Sequence, residues 1–584
     1  MNESSHKSTQ RTLLTALAFI AAAFVVHALA LGNPFLIDDH SAIEQHPDVQ
    51  EAVGGLRLWT HHYWQGSPSL DDQLYRPVTV FSFWLSQRLT PDSATGFRVV
   101  NILLLAGIAL CVVSWLRRYT GNLPALLAGA LVLVHPANTE AINHLVGRAD
   151  LLAVLGIVGF LALQANAQQH GWTWPRILGA AALTLIALGS KESGLALVPC
   201  ALAQWWVGAR PDHPSTPSPC RKAGVQPVTE TTPRLAAGAS ETAEPTPPPD
   251  SCQNVLGICP KRALFLALFL PAALYLAARL AVVGLPAGYP PTTDDLTGNP
   301  LRGMGFFERL SDVGAVAGWY LKQLVWPSTT YNHTPFHGSP AGHFGFGGFM
   351  LAFLSFSVLL RIRQRLPVFL PIVFLLAHLL IVGHILTVTG AYAANRLTIA
   401  TTAAGAMFLG LFLAEFTGRG PLLRNAIVGG TLIIALTFAF LAARANRAWS
   451  SELARMHADV QADDEDPIAL YWLGQAQLDY APDAAVSHLK RAHALAPQSN
   501  QAASALADAL LATGDDRAAW KLYDDLLTRN APLTDQQRAY AAMAAFNTGR
   551  YNKARALVHG LPADLAGPIE RALQSLPEDP PQSD

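Results

Sequence analysis

The sequence predicts an all-α membrane protein, with a polytopic domain of about eleven helical spans and a helical solenoid tail. Three observations carry that reading. Only 14% of the 584 residues are charged, against roughly 25% in a soluble domain, and mean hydropathy is +0.26. Apolar runs of about 20 residues, enough to cross a ~30 Å hydrocarbon core, recur through the first three quarters of the chain. From residue 465 the pattern changes to Ala-rich turn-then-helix elements. A formal net charge of -1, with no basic stripe interleaved with aromatics, argues against a nucleic-acid partner.

The spans fall near 11–31, 97–116, 121–136, 149–166, 176–190, 192–208, 263–283, 345–361, 367–388, 394–415 and 425–443. Asn33-Pro34-Phe35, rather than a small-residue cleavage site, follows the first, so it reads as a retained helix. Lys7, Arg11, Arg117, Arg118, Arg176, Lys261, Arg262, Arg361, Arg363, Arg365, Arg419 and Arg424 all fall on one side under this count. The positive-inside rule makes that side cytoplasmic and puts the tail outside with Asp38 and Asp39. Residues 306–326 are amphipathic and carry Glu308, Arg309, Asp312 and Lys322, so they read as a re-entrant or interfacial helix on the outer face.

The chain divides into an amino-terminal membrane module (1–209), a Pro/Ser/Thr/Ala-rich loop expected to be disordered and cytoplasmic (210–260), further membrane helices (261–445) and the repeat tail (465–575). Five cysteines without CxxC spacing read as free thiols. In the tail, Gly514-Asp515-Asp516-Arg517-Ala518-Ala519 and Gly549-Arg550-Tyr551-Asn552-Lys553-Ala554 match one another. Trp472-Leu473-Gly474 with Ala485, Leu489, Ala492 and Pro497 forms an earlier copy. These residues resemble the tetratricopeptide consensus, whose period is about 34 residues. About three such repeats make a short solenoid that suits an extended peptide; a generic Ala-rich bundle is the plainer alternative.

The polar residues that need explaining lie in the outer loops. Asp38 and Asp39 repel one another and hydrate strongly, so they belong where water or a cationic ligand reaches them. In Tyr75-Arg76-Pro77, Pro77 suits a first helical turn and sets Arg76 at that helix's amino terminus, as a phosphate ligand or an interfacial anchor. Between His135 and Asp150, Glu140, His144 and Arg148 recur at four-residue spacing and would share one helix face, with Asp150 nearby. Lys191-Glu192 interrupt apolar sequence, and Asn395-Arg396 open a span. If Arg76, Arg148, Lys191 and Arg396 converge, they build an anion site fit for a lipid-linked phosphate; sequence alone does not show convergence.

Six segments carry a family resemblance: IDDH at 37–40, YRPVTVFSFWL at 75–85, HPANTEAINHLVGRADLLA at 135–153, SKESG at 190–194, TGNPL at 297–301 and NRLTIAT at 395–401. In order and spacing they resemble the transmembrane and tetratricopeptide-repeat O-mannosyltransferases, which carry a GT-C-type membrane domain, and their bacterial relatives. HPxxTEA with GRx[DE]LLA is the most specific piece. The chain departs at Asn395, where relatives resemble Glu-Arg, and in its 210–260 insertion.

The resemblance implies inverting transfer of a hexose, mannose by the eukaryotic relatives, from a polyprenyl-phosphate donor to a Ser or Thr hydroxyl of an exported protein held by the repeats. Asp38 would be the general base and Asp39 would orient the acceptor or hold the site. Arg76, Arg148, Lys191 and Arg396 would stabilise the departing phosphate. Tyr75, His135, Glu140, His144, Asp150 and Glu192 would support the site or the acceptor. No cofactor is required, although Asp150 could position a divalent metal. Catalytic loops and tail would face the periplasm from a bacterial inner membrane. A membrane-anchored repeat scaffold for envelope assembly is the competing reading, but it needs one anchor helix rather than eleven. A transporter should place broken helices and charges at mid-membrane, whereas these charges cluster at one surface.

Overall fold

The computed structural model describes residues 3–66, 73–208, 258–284, 298–302, 304–327, 367–386 and 390–574, with 296, 348 and 388. Its described elements are helices, and among the described residues there is no strand beyond an isolated bridge between Trp172 and Ile258. The protein is membrane-embedded: among the described residues, six helices are long and apolar enough to span a bilayer. They are Thr9–Val26, Ala94–Leu116, Leu145–His170, Pro260–Val283, Asn395–Thr417 and Pro421–Ala448.

Among the described residues the count is six, against the eleven expected. Asn122–Val134 with Pro136–Asn143 makes a seventh span only if its 49° bend is allowed. Trp174–Ser190, Leu197–Gly208 and Phe369–Val382 are apolar helices of 17, 12 and 14 residues, at or below the roughly 17-residue lower end for a full crossing. Polar breaks at Lys191 and around His384 cut these segments into shorter pieces. Apart from residue 348, the predicted span at 345–361 lies outside the described residues, as does the 210–257 part of the long loop.

Burial sorts the helices into inner and outer sets. In Leu145–His170 and Asn395–Thr417, 89% and 72% of the apolar window is buried, against 11% in Thr9–Val26 and in Pro421–Ala448. The outer helices expose Leu13, Leu14, Ile433 and Phe440, an apolar surface suited to lipid. Helix Leu310–Val325, within the predicted re-entrant segment, buries Val316, Trp319 and Tyr320 in the membrane core while Lys322 stays exposed. Its Asp312 accepts a hydrogen bond from Tyr392 Oη at 3.0 Å.

After the last span, Trp449 leads into helix Glu452–Ala462. Helix pairs Pro467–Gln477/Pro482–Leu495, Asn500–Ala512/Asp516–Thr528 and Asp535–Asn547/Tyr551–Val558 follow, then Ala563–Leu573. The pairs begin 33 and 35 residues apart. Ala485, Leu489, Ala492, Ala519, Tyr523 and Ala554 form the interior between them, small residues allowing close approach and larger ones filling the gaps.

Candidate active site

The site is assembled where several chain breaks meet at one end of the bundle. The first break follows helix Thr9–Val26. Leu36 to Asp39 form a turn closed by Asp39 N–H on Leu36 O at 3.0 Å. Asp39 is fully buried; its Oδ2 accepts from Leu36 N–H at 3.2 Å and its Oδ1 from Val146 N–H at 3.1 Å. It therefore ties loop one to the 135–150 segment. Burial pushes its carboxyl up to about 7, against the backbone N–H groups and Arg98, which favour the anion.

Asp38 points elsewhere. Its side chain keeps 43% of its exposure, and its Oδ2 lies 3.7 Å from His144 Nε2. Desolvation by the surrounding chain raises its carboxyl above the ordinary range, opposed by Arg396 and Arg455 and reinforced by Glu140. A raised pKa makes a stronger base, provided the group is ionised at the working pH.

The 135–150 segment is not the single helix that its four-residue spacing predicts. It breaks into Pro136–Asn138, Thr139–Asn143 and Leu145–Gly147 before helix Arg148–His170 begins. Pro136 removes a backbone donor, and His144 takes an extended conformation with ψ 101°. A Cβ on Gly147 would lie 2.7 Å from Ala141 Cα, so the turn closes too tightly for a side chain. Glu140 and His144 consequently stay with Asp38, while Arg148 is turned away.

Arg148 is fully buried and enclosed by protein acceptors. It donates to Asn101 Oδ1 at 2.8 Å, Ser82 O at 2.9 Å, Ser86 Oγ at 2.8 Å and Phe97 O at 2.8 Å. The rings of Phe83 and Phe97 lie 5.0 and 5.1 Å from the guanidinium carbon. With its fork committed and no exposed surface, Arg148 holds helices together and does not reach a ligand, which corrects its predicted place among the phosphate ligands.

The other three predicted cations converge. Arg76, directly before helix Pro77–Leu89, gives Nη2 to Glu192 Oε2 at 2.7 Å and stacks 5.0 Å from the Tyr63 ring centroid. Lys191 Nζ reaches both Asp150 oxygens at 2.8 and 2.7 Å. Arg396 Nη1 donates to Glu140 Oε1 at 2.7 Å. Lys191 feels the charges of both arginines; burial, partly offset by Asp150, lowers its ammonium to about 8. Desolvation in the cluster would raise the carboxyl of half-buried Glu192, yet Arg76 holds it below the usual value. Lys191 is extended between two helices, and the turn after it needs Gly194, where a Cβ would meet Ala187 O at 2.0 Å.

Tyr75 and His135 sit in packing roles. Tyr75 Oη donates to Trp59 O at 2.8 Å, and His135 is buried between Leu324 O and Phe438. Asn395 is buried in the short turn that presents Arg396. Asp150 gives both oxygens to Lys191, and among the described residues no group of three His, Cys, Asp or Glu is disposed to hold a metal.

Two tyrosines join the cluster unannounced by the sequence motifs. Tyr63 Oη is buried without a hydrogen-bond partner among the described residues, within electrostatic reach of Arg76, Asp38, Asp39 and Arg396. Tyr320, from helix Leu310–Val325, lies near Arg396, Asp150 and Glu140 and accepts from Ala394 N–H at 3.4 Å. Glu140 Oε2 is likewise buried without a partner. Tyr63 stands in a run, His61-His62-Tyr63-Trp64, that carries no spacing signal; only the tertiary fold selects it.

The class defined here is an all-helical membrane protein with an acid–cation cluster at one end of its bundle. Among known proteins the chain is similar to protein O-mannosyl-transferases. It is 29% identical to F38B6.6 of Caenorhabditis elegans over 203 residues, 34% of this chain and 28% of that protein. It is 33% identical to Tmtc1 of Drosophila melanogaster over 193 residues (31% and 22%) and 30% identical to human TMTC4 over 205 residues (30% and 27%). The resemblance predicted from the motifs thus holds, and the matches span 22% to 28% of the length of these relatives. No family model and no solved structure matches the chain.

Proposed function

We propose that this protein is a membrane glycosyltransferase of GT-C type that moves a hexose from a polyprenyl phosphate to a Ser or Thr hydroxyl of an exported protein. The observation that carries the reading is Asp38: a partly exposed carboxylate within electrostatic reach of the Arg396–Glu140 pair and of Tyr63, beside a cluster in which Lys191 feels both Arg76 and Arg396. The names of the relatives supply the reaction class.

In this reading Asp38 takes the proton of the acceptor hydroxyl as its oxygen attacks the anomeric carbon, with His144 Nε2 3.7 Å from the carboxylate. The anomeric carbon–oxygen bond to the lipid phosphate breaks on the opposite face, which inverts configuration. Negative charge grows on the departing phosphate oxygens. Arg76, Lys191 and Arg396 meet it: each uses only part of its donors on Glu192, Asp150 and Glu140, leaving N–H groups for phosphate. The paired acids keep the cations fixed before the donor arrives, so little reorganisation accompanies the reaction. Tyr63 Oη supplies a further donor.

The arginines and lysines at the other helix ends, Arg117, Arg118, Arg176, Lys261, Arg262, Arg419 and Arg424, support an orientation with the site and tail outside the cytoplasm, the periplasm of a bacterial inner membrane. The tail reads as a tetratricopeptide solenoid from its pair period and small interior residues, and an extended acceptor segment suits it. The purified chain, given labelled polyprenyl-phosphate hexoses and Ser/Thr peptides, should form glycopeptide with inverted anomeric configuration by NMR. Absence of both transfer and donor binding across the hexoses would favour the scaffold reading.

A further inference from the structure

The carboxylate proposed as base lies on a turn that is pinned from two distant parts of the chain. One tether is Val146 N–H on Asp39 Oδ1. The other comes from the tail: Glu452, the first residue of helix Glu452–Ala462, accepts from Ile37 N–H at 3.0 Å. Glu452 Oε1 also lies 3.5 Å from His40 Nε2, and His40 Nδ1 pairs with Glu44. Contacts from Glu452 therefore bracket Asp38 and Asp39 in sequence.

Ile37 needs that restraint. Its φ of +53° is in the left-handed region, which β-branched residues strongly avoid. The remaining hydrogen bonds of the turn, Asp39 N–H on Leu36 O and His40 N–H on Ile37 O, are local and do not satisfy the Ile37 N–H. The same junction reaches the other side of Asp38. Trp449 packs with Leu36 and stacks on His144 at 5.8 Å, and Arg455 lies 5.2 Å from the Trp449 ring.

We infer that Glu452 is a positioning residue: from the start of the tail it holds the Ile37 peptide in its left-handed conformation and thereby aims Asp38. The inference rests on Asp38 as base for its kinetic consequence, but the tether itself does not. The chemistry at Asp38 is thereby made sensitive to the placement of the first tail helix.

The test uses the full-length protein with Glu452→Ala and with Glu452→Gln, whose amide oxygen still accepts from Ile37 N–H. Hydrogen–deuterium exchange of the 33–45 segment should accelerate about 10-fold in the Ala variant and stay near wild type in the Gln variant. In hexose transfer to a Ser/Thr peptide, kcat should fall about 10-fold in the Ala variant with acceptor KM unchanged, and recover in the Gln variant. Unchanged exchange in Glu452→Ala, or a Gln variant as impaired as Ala, overturns the inference. A raised KM with unaltered kcat also overturns it, since that marks a tail-docking role alone. If the wild type transfers no hexose, the base reading fails while the exchange measurement still decides the tether.

Discussion

Two charged clusters stand at the same end of the helix bundle and differ in what surrounds their cations. In the closed one, Arg148 and Arg98 are fully buried and donate chiefly to neutral oxygens: Asn101, Ser82, Ser86 and Phe97 for Arg148, and the carbonyls of Asn33, Pro34 and Asn143 for Arg98. In the open one, Arg76, Lys191 and Arg396 each face one carboxylate and stay partly exposed. Carbonyls committed to a buried guanidinium cannot be exchanged without unfolding the wall. A carboxylate partner at an exposed edge can share its cation with an incoming phosphate. Charge at a membrane edge therefore marks a ligand site only where donors are left over.

The comparison is broken most forcefully at Asp38. Replacing it with Asn should lower transfer by ~10²–10⁴ without loss of stability, because its side chain is partly exposed and ties down little else. Next, Arg148→Lys should cost roughly 3–5 kcal/mol of stability, measured by denaturation in detergent, since several buried acceptors lose the planar fork. A stable Arg148→Lys protein with reduced donor affinity would move Arg148 into the open cluster. Arg396→Lys keeps a charge for Glu140 but loses the planar fork proposed for phosphate, so donor affinity should fall about 10-fold with little unfolding.

The two acids separate by pH. Asp39 has a folded pKa of about 7, above the unfolded value of about 3.9, so the folded state binds the extra proton between them. Stability from this group is present below pH 4 and is lost as pH rises through 7. Denaturation at several pH values should show that slope, and Asp39→Asn should flatten it. Activity should move the opposite way: the raised Asp38 pKa places the acid limb of kcat/KM above the usual carboxylate range. The smallest effect belongs to Tyr63→Phe, which removes an unpartnered buried hydroxyl. Stability should hold or rise slightly while transfer falls about 5-fold.

Much of the open cluster was legible because its residues sit at breaks in apolar sequence. Arg76 before Pro77, Lys191-Glu192 between two apolar runs and Asn395-Arg396 at a span start are visible as interruptions. Arg148 misled because four-residue spacing implies a shared helix face only if the helix is continuous, and Pro136, His144 and Gly147 break it. Hydropathy marks apolar runs but not where a helix breaks, as at Lys191, so among the described residues six spans stand against the eleven expected. Tyr63, Tyr320 and Glu452 carried no local signal, since their roles come from contacts across wide sequence separations.

The central claim is that Asp38, and not its neighbour, takes the proton. Single-turnover hexose transfer by Asp38→Asn, with donor binding measured on the same preparation, tests it most directly. The account predicts donor binding near wild type and transfer slowed by ~10²–10⁴. Transfer at the wild-type rate in Asp38→Asn would contradict it.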